Sequence, residues 1–168
     1  MQYLGILILV SLASGVSAQV GERISACDRK FGGHTGDLFK SEDADTTARV
    51  WCRYQWQGYS MQASFGGRRV TDMHCVCLDF WKQGRPLTDT EIDSLLASNT
   101  GGSSWLIVHK EDVNTLRGWK RGDNRALAVT RNGKNGMLQI FSPGYYKQNI
   151  PDGLPTFWRS LPPELRLK

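Results

Sequence analysis

The segment MHCVCLDFW at residues 73–81 carries apolar or thiol side chains at both sets of alternating positions, the pattern of a strand covered on both sides. A chain that contains it is therefore expected to build a sheet with material on each face. Cys75 and Cys77 lie one residue apart, and on a regular strand they share a face. A bridge between them is awkward in that geometry, so each is expected to pair with Cys27 or Cys52. Two combinations remain, 27 with 75 and 52 with 77, or 27 with 77 and 52 with 75. A zinc site would draw on His74, Cys75, Cys77 and one of Cys27, Cys52 or His34. Strand alternation points His74 away from both thiols, however, and no Cys-x-x-Cys pair is present. Neither a metal nor a cofactor is expected.

Disulfides need an oxidising compartment, and the first residues supply the route to one. Residues 4–10 are uniformly apolar and Val16, Ser17 and Ala18 are small, in the spacing that signal peptidase prefers. Residues 1–18 thus read as a secretory leader. Their apolar run is too short for a bilayer, which needs roughly 20 residues. The expected location is extracellular, or onward into a host cell, as a monomer without stable membrane insertion. The formal net charge is +5, which favours anionic partners such as nucleic acid or an acidic surface.

Hydrophobic periodicity divides the rest. Residues 19–47 are polar and glycine-containing, and read as an irregular N-terminal arm. ARVWCRYQW alternates with Val50, Cys52, Tyr54 and Trp56 on one face, and residues 59–65 suggest a second strand. Thr88 and Glu91 form a capping box ahead of Ile92, Leu95 and Leu96, marking the clearest helix. SSWLIVH reads as a strand, residues 111–118 as a short helix, and ALAVT with MLQIF as a hairpin across RNGKNG. Residues 143–168 are a proline-rich tail expected to dock through Tyr145, Tyr146, Phe157 and Trp158. The expectation is an α+β core over residues 48–142, with an antiparallel sheet of about five strands, one main helix and two disulfides. No internal repeat is visible.

Two groups of residues point to chemistry. His109 and Glu111 share a face if their strand continues, and Arg125 among the neighbouring cations would stabilise a phosphorane, a set suited to RNA cleavage without metal. The alternative is a strand-end histidine followed by acids that favour a helix N-terminus. Between residues 117 and 134, Arg117, Lys120, Arg121, Arg125, Arg131 and Lys134 surround Trp119, with Asp123 as the one acid. Cations interleaved with an aromatic suit a phosphate backbone, although a solvated basic hairpin has the same composition. His74 is read as a buried core histidine, His34 as a loop residue, and Arg121-Gly122-Asp123 as a match to an integrin-recognition tripeptide.

A secreted, basic chain of this size with four cysteines resembles the small secreted fungal proteins of the effector or toxin class. A helix on an antiparallel sheet presenting His, Glu and Arg is similar also to small microbial ribonucleases and their inactive effector relatives. In the fungal enzymes the helix precedes the catalytic strands and a histidine lies near the C-terminus, whereas the last histidine here is His109. The resemblance implies a protein that binds a host or environmental partner, with residues 117–134 or the aromatic tail as contact surface. Its alternative is a ribonuclease-like enzyme using His109, Glu111 and Arg125. A membrane-active toxin is disfavoured, because no long amphipathic basic helix is present.

Overall fold

Alternation in the sequence becomes a large antiparallel sheet. The computed structural model describes residues 20–41, 48–67, 72–110, 117–131 and 136–145. In chain order they form α1 (Ile24–Phe31), β1 (Thr35–Ser41), β2 (Ala48–Trp56), β3 (Tyr59–Gly67) and β4 (His74–Trp81), then α2 (Asp89–Ala97), β5 (Trp105–Lys110), β6 (Arg117–Arg121), β7 (Leu127–Arg131) and β8 (Met137–Phe141). The strand order is β1-β2-β3-β4-β8-β7-β6-β5, every pair antiparallel. Each half is one short helix followed by a four-stranded meander, and the halves meet where β4 pairs with β8, Cys77 opposite Phe141 through Trp81 opposite Met137.

Local chemistry explains the elements. Gln57 and Gly58 both take positive φ, 50° and 77°, in the two-residue turn that closes β2 onto β3. Thr88 accepts from the Glu91 N–H while Glu91 reaches back to the Thr88 N–H, so the expected capping box starts α2. The first helix has no side-chain cap and is held by packing. Phe31 meets Tyr54, Trp56 and Phe80 with ring centroids 5.7, 5.3 and 6.4 Å away. Lys30 then ties α1 to the end of α2 by donating to the Ser98 carbonyl at 2.7 Å.

Both helices pack on one face of the sheet. Cys27 and Phe31 of α1 and Ile92, Leu95 and Leu96 of α2 share a core with Tyr54, Met61, Phe65, Leu78, Phe80, Trp119, Leu138 and Ile140. The opposite face is mixed. Cys77, Leu127, Val129 and Phe141 are buried there, while Arg53, Gln55 and Gln62 face outward to differing degrees. No helix among the described residues is long and apolar enough to cross a membrane.

Several expectations are corrected. Among the described residues the sheet has eight strands rather than about five, α1 and α2 are both short where one main helix was expected, and all four cysteines are free. The missed strands are β1, which with α1 lies in the stretch read as an irregular arm, and β6, whose sequence RGWKR lacks apolar alternation. Residues 117 and 118, assigned above to a helix, begin β6; residues 111–116 lie outside the described residues.

The thiols are separated by a β-bulge. Phe65 pairs with Cys75 and Ser64 with Cys77, which leaves Val76 as an extra residue in β4. The bulge flips the alternation, so Cys75 joins Cys27 and Cys52 in the helix-side core while Cys77 turns to the other face. Cys77 there donates to Asp79 Oδ1 at 3.6 Å. A double staple from one face of β4 is thus absent. Residues 1–18, expected to be a leader, and the tail beyond Tyr145, including Tyr146, Phe157 and Trp158, lie outside the described residues.

Candidate functional site

The bulge that separates the thiols also shapes a cleft at one end of the sheet. Residues 20–22 run alongside the start of β4, with the Gly21 N–H donating to the Cys75 carbonyl and the Cys75 N–H to the Glu22 carbonyl, both at 2.7 Å. From the other side, the bulged Val76 carbonyl accepts from the Ser142 N–H at the end of β8 at 2.9 Å. The turn between β6 and β7 closes the cleft. Its volume is about 360 Å³, and its lining includes Glu22, His74, Arg121, Asp123, Arg125 and Ser142.

The turn is built around one carboxylate. Asp123 Oδ1 accepts from Arg121 Nε and from the Arg125 N–H, each at 2.9 Å. The Arg121 N–H bonds to the Ala126 carbonyl and the Asn124 N–H to the Arg121 carbonyl, with Asn124 at a φ of 60°. Partial burial pushes the Asp123 carboxyl upward, but the bonds from Arg121 and Arg125 outweigh it and hold the group below its ordinary value. Arg121 is 3% exposed. Its charge is consumed by Asp123, whereas Arg125 is exposed and makes no ion pair among the described residues.

His74 is exposed at the edge of the cleft rather than buried in the core. Its Nδ1 lies 2.9 Å from the Gly21 carbonyl oxygen. A carbonyl only accepts, so Nδ1 is the donor in this contact and Nε2 is the ring nitrogen not engaged by it. The cleft thus combines an imidazole of fixed orientation with a guanidinium that makes no ion pair among the described residues, an arrangement able to hold an oxyanion.

Among the described residues the cations between 117 and 134 have differing surroundings. Arg117 is paired with Asp89 of α2 at 2.7 Å and lies 5.7 Å from the Trp119 ring. Trp119 is 4% exposed and belongs to the core, so it offers no stacking platform. Lys120 lies on the opposite face of the strand, where it pairs with Leu127. Arg131 ends β7 opposite Met137, and Lys134 lies outside the described residues. Among the described residues of that set, Arg121 and Arg125 share the cleft. With Arg121 buried against Asp123, the integrin-type tripeptide is not displayed.

The His109, Glu111 and Arg125 set falls only partly within the described residues. His109 lies in β5 opposite Gly118 of β6, Glu111 lies outside the described residues, and Arg125 stands in the β6–β7 turn. His34, read as a loop residue without a partner, has Nδ1 3.0 Å from Asp28 Oδ1, which also accepts from the Tyr54 hydroxyl at 3.0 Å. No group of three or more metal-ligating side chains occurs among the described residues. The role of His74 was hidden because alternation across residues 74–80 assigns it to the core, and only the bulge reverses this.

Comparison with protein-family models, curated proteins and solved structures finds no match to this chain.

Proposed function

We propose that the protein acts outside the cell that makes it, by binding a phosphate-bearing partner whose anionic group enters the His74 and Arg125 cleft. One observation carries this reading. Of the two guanidinium groups lining the cleft, Arg121 is neutralised by Asp123 and fixes the turn, while Arg125 on that turn is exposed and makes no ion pair among the described residues. The formal net charge of +5 favours approach of a polyanion, and the leader-like residues 1–18 favour export. This kind of action is what the resemblance to secreted effectors implies.

The test is titration of the full mature chain with a fluorescent single-stranded RNA across salt concentrations. Arg125→Glu is expected to weaken binding at least tenfold and to lower the salt slope by about 1. Arg117→Glu, remote from the cleft lining, should leave the Arg125-dependent component in place. Unchanged affinity in Arg125→Glu removes the reading.

A second reading, metal-free RNA cleavage, gains from the orientation of His74, whose Nδ1 contact with the Gly21 carbonyl leaves Nε2 as the ring nitrogen not engaged by it. It requires loss of RNA degradation in His74→Ala under metal-free conditions. An intact RNA substrate after incubation with the parent protein eliminates it.

A further inference from the structure

The helix-free face of the sheet carries a second, chemically different groove of about 240 Å³ over β1, β2, β3 and β4. Strand register builds it in two rows. One runs Thr35, Arg53, Gln62, and the next runs Gln55, Ser60, Trp81, each residue directly opposite its neighbour across the sheet. Gln83, just past β4, closes one end. Three carboxamides, one guanidinium and one indole therefore line a single shallow depression.

Each of these groups has a specific capacity. A carboxamide both donates and accepts, which matches a hydroxyl better than it matches a phosphate, whose oxygens only accept. The Gln55 amide already donates to Ser60 Oγ at 3.2 Å, leaving its carbonyl oxygen to accept. The indole of Trp81 is half-buried and presents an aromatic surface on which slightly positive C–H bonds pack. Arg53 is exposed and, among the described residues, makes no ion pair and is the one charged residue of the lining. Asp79, opposite Gln62 in register, accepts the Gln139 amide at 2.8 Å and the Cys77 thiol, and does not line the groove.

We infer that this groove binds an acidic oligosaccharide, a chain of uronic acid residues whose carboxylate pairs with Arg53 while ring hydroxyls meet Gln55, Gln62 and Gln83 and a sugar face covers Trp81. Charge complementarity selects the carboxylate, because the described lining carries Arg53 and no acid. Bidentate pairing suits a guanidinium to that planar anion. The amides, which both donate and accept, select a polyhydroxylated chain over a bare phosphate. The site is independent of the His74 and Arg125 cleft.

The probe is trigalacturonate, titrated calorimetrically into the full mature chain beside its fully methyl-esterified, neutral form. Saturable binding is expected, at least tenfold weaker for the ester and for Arg53→Gln, and weakened also in Gln62→Ala. Arg53 and Gln62 lie at the surface of the sheet, so both variants are expected to keep the parent circular dichroism spectrum. Tryptophan fluorescence should change on binding in the parent and not in Trp81→Phe. Absence of saturable binding, equal affinity for acid and ester, or loss in Arg125→Glu with Arg53→Gln unaffected overturns the inference. The last outcome would place the sugar in the other cleft.

Discussion

Arg121 shows how far a residue's sequence context can differ from its folded one. Within RGWKRGDNR it reads as one cation in a basic run, yet it is nearly fully buried and bonded to Asp123. Burying a guanidinium is tolerated only when it is paired, and the acid two residues on was the visible hint of that pairing. The thiols carry a similar lesson. Their spacing was legible, but the extra residue at Val76 that sends Cys75 and Cys77 to opposite faces was not, because bulges leave no periodic trace. All four are buried, and burial pushes the Cys52 thiol up to about 11 and raises Cys75 and Cys77 well above their ordinary value. Because the thiolate is the reactive form, the folded protein should give almost no reaction with an aromatic disulfide reagent at pH 8, and four equivalents once unfolded in guanidinium. A count below four after unfolding would contradict the free thiols.

Among the elements, α2 was fully legible because capping chemistry is local, whereas β1 and β6 were not because tertiary pairing makes them strands. RGWKR has one apolar side chain, and it is a strand because Trp119 enters the helix-side core while its backbone pairs with both β5 and β7. Glu91 joins α2 to its surroundings: it receives bonds from Arg85, Lys82 and the Thr88 N–H, which together hold its carboxyl well below the usual carboxylate range. A depressed value means stability that is complete above an ordinary carboxylate pKa of about 4 and is lost as pH falls through the lower, folded value. Asp123 acts in the same direction. Glu91→Gln should therefore lower stability at pH 7 and flatten its decline below pH 4, as read from urea midpoints at each pH. Thr88→Ala should cost about 1 kcal/mol at neutral pH by the same measurement.

At the scale of the molecule, the two helix-plus-meander halves are joined by a common core, so neither is a separate domain. That internal symmetry was invisible in the sequence, since each half meets different neighbours and uses different residues: Phe31 fills the layer beneath α1, and Ile92, Leu95 and Leu96 fill it beneath α2. The central strands β4 and β8 were the most legible, for their apolar content is dictated by burial on both sides. Ile140, opposite Leu78 at the junction, is 1% exposed. Ile140→Ala is expected to cost about 3 kcal/mol and to lower both halves in a single transition. Two separated transitions by near-ultraviolet circular dichroism would instead mean that the halves melt independently.

The junction also sets a timetable. Every other strand pairing joins elements adjacent in the chain, of the kind that hairpins complete in microseconds. The contact of Asp79 with Gln139 spans 60 residues, and nothing local brings those strands together. Each meander can therefore zip on its own while an exposed edge waits at β4 and another at β8, and the search for that one match governs how quickly the chain becomes native. Until it is found, those two edges are the places where a neighbouring chain can pair instead, so the fastest route to the folded protein and the principal route to aggregation start from the same unpaired strands.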